Sequence, residues 1–248
     1  PEKQLKLNGE ELTLLSVKLD GKVLDANQYQ QTNDFLILSN LPDSGDIEIT
    51  TRIHPDKNTA LSGLYKSGNT YCTQCEPEGF RRITYFTDHP DILSRYTTTI
   101  VADAALFPVL LSNGNLINSG TIEGGRHFAT WEDPFKKPCY LFALVAGSFD
   151  LLEGHFVTMS GRDVLLRIYT DKGFGDAADH ALFSLQAAMR WDEVTYGREY
   201  DLDIYMIVAI GDFNMGAMEN KGLNIFNTKY ILAKPDTATD DDYMHILS

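Results

Sequence analysis

A β-sandwich-like amino-terminal domain followed by the start of an α+β domain is the fold class that the sequence predicts, on three observations. Through residue 148 the chain breaks into short β-rich runs separated by Gly, Asn and Asp, the pattern of antiparallel strands closed by tight turns. Helical periodicity begins only after Gly175, where Ala178, Leu182, Leu185 and Met189 recur at helix spacing. That helix feeds residues 202–210, an apolar run long enough to be a buried strand. The boundary is therefore placed at 148, giving domains 1–148 and 149–248.

Taken in order, residues 12–19 form a strand that ends at Asp20-Gly21, a two-residue turn signal, with 22–24 beyond it. Residues 35–38 follow, then a loop over 40–45 and an alternating strand over 47–53. Residues 96–101 and 107–111 are again β-rich, and Asn113-Gly114 reads as another hairpin before Leu116 and Ile117. Runs 127–131 and 140–146 close the series, with Asp133-Pro134 and His89-Pro90 as turns. Segments 149–158 and 164–169 continue as strands. Asp176 and Asp179 offer caps for the helix, Ala181 and Ala188 widen its apolar stripe, and Gly197 stops it. A second helix is expected from Thr237, with Asp240 to Asp242 at its positive end.

Composition narrows the function. The 248 residues are 43% hydrophobic, enough for one large or two ordinary domains. Thirty-five acidic against 21 basic residues give a formal charge of −14 and a pI near 4.7. A polyanion would be repelled, so no nucleic-acid partner is expected. No apolar run reaches the roughly 18 residues of a membrane span, no membrane partner is expected, and residues 1–4 do not begin a signal peptide. Three cysteines cannot all pair, which favours a cytoplasmic protein. Cys72 and Cys75 have only Cys139 as a further thiol and no nearby histidine, so they read as small core residues. Arg81 and Arg82 call for carboxylate partners such as Glu76 or Glu78. His155 and His180 read as structural or exposed, and Tyr71 or Tyr85 as a candidate cleft wall.

Residues 211–222 carry the chemistry. Gly216 and Gly222 permit unusual dihedrals, Met215 and Met218 offer soft apolar surface, and Glu219 supplies one fixed negative charge. From the residues alone, an acidic turn between two strands and a ligand-binding loop stand as equal readings. The run Gly216-Ala217-Met218-Glu219-Asn220 resembles the exopeptidase motif of the zinc aminopeptidases related to alanyl aminopeptidase, the aminopeptidase N or gluzincin family. The resemblance implies that Glu219 binds the free α-amino group of a peptide. It also implies that the backbone of Gly216 to Asn220 lines the cleft and that Met215 flanks the first side-chain pocket. Residues 70–85 are similar to the amino-terminal-domain segment of the same family, which assigns a second amine-binding carboxylate to Glu76 and a neighbouring hydrogen-bonding role to Gln74. Further similarity over 60–65, 110–114, 137–147 and 200–202 extends the resemblance along nearly the whole chain. It makes the second domain the beginning of a thermolysin-like catalytic domain. A carboxylate at fixed depth pairs with an ammonium through charge-assisted hydrogen bonds. An internal peptide nitrogen carries no such charge, so the site counts from the chain end.

The family's zinc ligands come from a His-Glu-Xaa-Xaa-His helix and a later glutamate, with the first glutamate as general base. The six histidines here, His54, His89, His127, His155, His180 and His245, are scattered. The resemblance places the metal helix a few residues beyond Ser248. The chain is thus expected to be an amino-terminal fragment that holds no zinc ligand and no catalytic residue. Zinc, peptide substrates with a free amino terminus and the remainder of the catalytic domain belong to the complete enzyme. Two alternatives stay open. One is the leukotriene A4 hydrolase branch, which typically has Gln at the position of Glu76 and Gly at that of Ala217; the other is a non-catalytic peptide-binding or structural module.

Overall fold

A computed structural model describes residues 4–234 and 236–247; of residues 1–4, on which the signal-peptide reading rests, the first three lie outside them. The chain forms β1 (Gln4–Asn8), β2 (Thr13–Leu19), β3 (Lys22–Val23), β4 (Tyr29–Gln31), β5 (Phe35–Ser39), β6 (Ile47–Arg52), β7 (Gly63–Ser67), β8 (Thr70–Gln74) and β9 (Ser94–Asp103). There follow β10 (Val109–Ser112), β11 (Asn115–Ile122), β12 (Arg126–Lys137), β13 (Leu144–Gly147), β14 (Asp150–Val157) and β15 (Asp163–Thr170). The remainder comprises α1 (Asp179–Tyr196), β16 (Ile204–Ile210), β17 (Ala217–Met218), β18 (Leu223–Asn227) and α2 (Asp240–Leu247). A β-rich amino-terminal part gives way to mixed α and β structure, as the sequence predicts. The backbone divides into two compact units interleaved along the sequence: residues 1–66, 73–94 and 136–142 in one, and 67–72, 95–135 and 143–248 in the other.

In the first unit, two three-stranded antiparallel sheets, β1-β5-β4 and β3-β2-β6, turn their apolar faces inward. Alternation does this: Leu36 and Leu38 point the same way from β5, and Leu7 and Val17 join them in one buried cluster. Tyr85 also lies in that cluster, its hydroxyl oxygen accepting from Gln31 Nε2 at 3.0 Å, so it is a core residue and not a cleft wall. Asp20 and Gly21, both at positive φ, make the β2–β3 turn as read. Strands β1, β4, β7 and β8 were not anticipated; they are short or rich in polar residues.

In the second unit, β10, β13 and β8 form one antiparallel array and β11-β12-β9 another. Asn113-Gly114 is therefore not a hairpin turn. It carries the chain from β10 in one sheet to β11 in another. Asp133-Pro134 is not a turn either: it lies within β12, with Asp133 buried and accepting the Phe135 N–H at 3.1 Å. Residues 140–146 were expected as one strand, but a 3-10 turn over Cys139–Leu141 precedes β13.

The rest of that unit is a mixed five-stranded sheet, ordered β14-β15-β16-β18-β17. Its central strands β15, β16 and β18 run parallel, while β14 and β17 run antiparallel at the edges. Central strands buried on both faces explain the unbroken apolar run of β16. Helix α1 lies on one face, burying Ala181, Leu185 and Met189 against Val164, Leu166, Ile168 and Ile207. Ala188, expected in that stripe, is exposed. Asp176 does not cap α1; it sits in a preceding 3-10 turn over Gly175–Ala178. Gly197 terminates the helix in the left-handed region at φ 63°, donating its N–H to Glu193. Helix α2 starts three residues later than read, because Thr239 and Asp242 exchange capping hydrogen bonds: the Thr239 N–H donates to the carboxylate at 2.8 Å, and the Asp242 N–H donates to the hydroxyl at 3.3 Å.

Candidate functional site

The segment linking parallel strands β16 and β18 is a crossover that adds its own strand. Ala217 pairs with Phe226 and Met218 with Ile225, so β17 becomes the sheet edge. Met218 and Ile225 are fully buried, which fixes the register, and the next residue, Glu219, is exposed. Period-2 alternation alone puts those two neighbours on opposite faces. Asn220 turns back inward and is buried; its Nδ2 donates to the Met218 carbonyl at 3.5 Å, and its Oδ1 is buried without a hydrogen-bond partner. The Leu223 N–H donates to the Asn220 carbonyl at 3.0 Å, and Gly222 completes the turn at φ 75°. A Cβ on Gly222 would lie 2.9 Å from Leu202 Cδ1, so both conformation and space require glycine there.

The segment is tied down from several directions. The Ser67 hydroxyl donates to Asp212 Oδ2 at 3.0 Å and accepts the Asp212 N–H at 3.2 Å. Asn227 N–H donates to the Gly216 carbonyl at 2.9 Å, and the Asn227 side chain donates to the Phe213 carbonyl at 2.9 Å. Met215 is partly exposed. Beside it opens a cleft of about 480 Å³, lined by Tyr205, Gly216, Ala217, Phe226, Tyr230 and Leu247 among others. A Cβ on Gly216 would reach 3.6 Å from the Tyr230 ring, at the van der Waals limit. Burial, offset in part by a hydrogen bond from Asn224, pushes the Tyr205 hydroxyl up to about 12, so at neutral pH it presents a neutral hydroxyl.

In the first unit, Gln74 is the last residue of β8, is buried, and donates through Nε2 to the Glu76 carbonyl at 3.4 Å. Glu76 is half-buried on the turn that follows. The Gly79 N–H closes this turn on the Cys75 carbonyl at 2.8 Å, and a Cβ at Gly79 would fall 2.3 Å from the Gln74 carbonyl oxygen. Arg81 pairs with Asp88 at 2.9 Å and with Glu78 at 3.3 Å, while Arg82 takes Glu10 and Glu11. The expected partner Glu78 is present, but neither arginine neutralises Glu76. Cys139 donates its thiol to Asp88 Oδ1 at 2.9 Å, and Cys72, Cys75 and Cys139 are all buried and in no disulfide.

Among the described residues, no group of three or more His, Cys, Asp or Glu side chains is placed to hold a metal ion. His155 is engaged with Asp163, His180 with the Tyr243 carbonyl and His127 with the Phe107 carbonyl. The residues described do not fit a zinc site. No helix among them is long and apolar enough to cross a membrane. The buttressing roles of Ser67, Asn113 and Asn227 leave no motif in the sequence, because their partners are backbone groups or side chains elsewhere in the chain.

A β-rich region joined to a mixed sheet, with an acidic edge-strand loop beside a cleft, is peptidase architecture by comparison with known proteins. Residues 1–141 match the Peptidase M1 N-terminal domain, and residues 180–248 match the Peptidase family M1 domain. The chain belongs to the peptidase M1 family. It is 57% identical over 242 residues to Aminopeptidase N of Escherichia coli (strain K12), and 57% identical over 242 residues to Aminopeptidase N of Caulobacter vibrioides. Each of these matches covers 98% of this chain and 28% of the relative. The crystal structure of Legionella pneumophila aminopeptidase A in complex with aspartic acid superimposes with a TM-score of 0.94 at 39% identity, covering 98% of this chain and 29% of that one. The chain thus spans a little over a quarter of the length of its relatives.

Proposed function

We propose that the intact protein removes amino-terminal residues from peptides as a zinc-dependent aminopeptidase, and that this chain supplies recognition of the substrate's α-ammonium. The observation that carries the reading is Glu219: a charged, exposed residue held between a buried edge strand and a tight turn, in a segment that also lines a cleft. The carboxylate receives the ammonium through charge-assisted hydrogen bonds, and Glu76 is assigned the second carboxylate on the strength of its motif. Gln74 orders the turn bearing Glu76, while Met215 and the backbone of Gly216, Ala217, Met218 and Asn220 border the first residue of the substrate. Holding the ammonium sets the position of the scissile carbonyl, which is catalysis by orientation. Residues 1–148 are assigned to the amino-terminal domain and 149–248 to the beginning of the catalytic domain. A cytoplasmic location fits three buried cysteines that form no disulfide. Retention of Glu at 76 and Ala at 217 favours this reading over an epoxide-hydrolysing branch.

Glu219→Gln in the intact protein tests it. The variant is expected to keep its zinc yet lose at least about tenfold in kcat/KM on an unblocked dipeptide, equivalent to about 1.4 kcal/mol of transition-state stabilisation. Raising the pH past the α-amino pKa of roughly 8 should weaken binding by wild type and affect the variant less. Wild-type turnover by the zinc-loaded variant would remove Glu219 from amine recognition. A fall in zinc content alone would reassign it to support of the metal site.

A further inference from the structure

We propose that Asn113 is a positioning residue for the amine-recognition segment, holding the turn after Glu219 through the carbonyl of Lys221; the inference rests on the role given to Glu219 above. Asn113 is 2% exposed and sits at the crossover between β10 and β11. Its Nδ2 donates to the Lys221 carbonyl at 2.8 Å, and its Oδ1 accepts the Ala143 N–H at 2.7 Å. The neighbouring Ser112 hydroxyl donates to the Ala143 carbonyl at 2.7 Å. The group that Ala143 presents to Asn113 is its N–H, a donor only. The amide orientation follows, because a flipped group would set donor against donor at Ala143 and acceptor against acceptor at Lys221.

The backbones meet as closely as the side-chain bond implies. A Cβ on Gly222 would lie 3.3 Å from the Gly114 nitrogen, and one on Gly114 would lie 2.0 Å from the Glu132 carbonyl oxygen. Gly114 takes φ 90° and Gly222 φ 75°, so the two strands of chain touch without intervening side chains. Lys221 is held twice: its carbonyl by Asn113, and its ammonium by both Asp201 carboxylate oxygens at 2.7 Å. One buried residue, Asn220, separates Lys221 from Glu219. Glu219 itself is exposed, so its carboxylate position is set by the backbone on either side. The β17 pairing fixes the amino-terminal side and the Asn113 anchor fixes the carboxy-terminal side. Displacement of a positioning group by about 1 Å can cost on the order of a hundredfold in rate.

The test uses the intact, zinc-loaded protein and compares Asn113→Asp, Asn113→Ala and Glu219→Gln. For each, inhibition constants are measured for an amino-acid amide and for its des-amino analogue, beside zinc content and thermal midpoint. Asn113→Asp keeps the acceptor for Ala143 but turns an oxygen toward the Lys221 carbonyl. Its preference for the amine-bearing ligand is expected to fall about tenfold with des-amino binding unchanged, and Asn113→Ala is expected to lose less in the same sense. A purely structural role would weaken both ligands alike, and that result overturns the proposal. So does a wild-type preference in both Asn113 variants while Glu219→Gln loses its own. An unchanged preference in Glu219→Gln defeats the amine-recognition reading itself. Should Asn113→Asp fail to fold, the same ratio in Asn113→Ala decides.

Discussion

Asn227 holds Phe213 across the base of the 211–222 loop: its side-chain amide donates to the Phe213 carbonyl at 2.9 Å, while its own Oδ1 accepts the Lys229 N–H at 3.0 Å. Its backbone N–H meanwhile reaches the Gly216 carbonyl at 2.9 Å. One residue at the end of β18 therefore sets both the entrance of the loop and the start of β17. Asn227→Ala is expected to lower stability by about 1–3 kcal/mol, since two side-chain bonds go and the Phe213 carbonyl loses a partner. Asn227→Asp, which can still accept from Lys229 but turns an oxygen toward the Phe213 carbonyl, should cost at least as much. Urea unfolding midpoints of the two variants check the order.

Gly114 and Gly197 separate conformational from steric demand. Both have positive φ, but a Cβ at Gly197 meets nothing within 4 Å, whereas one at Gly114 falls 2.0 Å from the Glu132 carbonyl oxygen. Gly197→Ala should therefore cost only the left-handed penalty, about 1–2 kcal/mol. Gly114→Ala must also move a strand, and a loss above about 3 kcal/mol is expected. Equal shifts in unfolding midpoint would show that the crossover yields freely.

The thiols give a prediction with a definite sign. Burial first, and then the nearby Cys139 and Asp88, raise the Cys75 thiol well above its ordinary value; burial and the bond to Asp88 raise Cys139. Both should resist a thiol-reactive disulfide reagent in the native protein at neutral pH and react once it is unfolded. A raised folded pKa means that the associated stability is fully present below the unfolded thiol pKa of about 8.5. It is lost as pH rises from there through the folded values. The unfolding midpoint should fall on going from pH 8 to pH 10, and less steeply in Cys75→Ala. Rapid native labelling of Cys75 would contradict its burial.

These contrasts show which parts of the molecule local sequence can specify. Asp20-Gly21 was legible because both residues of a two-residue turn tolerate positive φ, and nothing distant competes. Asn113-Gly114 carries nearly the same signal and does something else, since Asn113 is claimed by Ala143 and Lys221 and Gly114 by Glu132. Asp176 has the chemistry of a helix cap, but the chain spends a 3-10 turn before α1, and the cap position falls to Ala178. Thr239 displaced Thr237 because Asp242 stands where a reciprocal bond can form. At the candidate site, the exposed position of Glu219 follows from strand alternation beside an apolar Met218. Its buttresses do not, because a buried hydrogen bond between remote segments leaves no periodic trace.

The ties on the 211–222 loop also order events in time. Ser67 and Asp212 are 145 residues apart, and Asn113 and Lys221 are 108 apart. Contacts so distant along the chain require large loops to close and form slowly compared with the β2–β3 hairpin. During synthesis from the amino terminus, Ser67 and Asn113 leave the ribosome long before the groups they will hold exist. The loop can take its final shape only once Lys221 has followed Asn113 by 108 residues, so it matures late relative to its anchors, and a chain paused between the two would display those polar anchors to water.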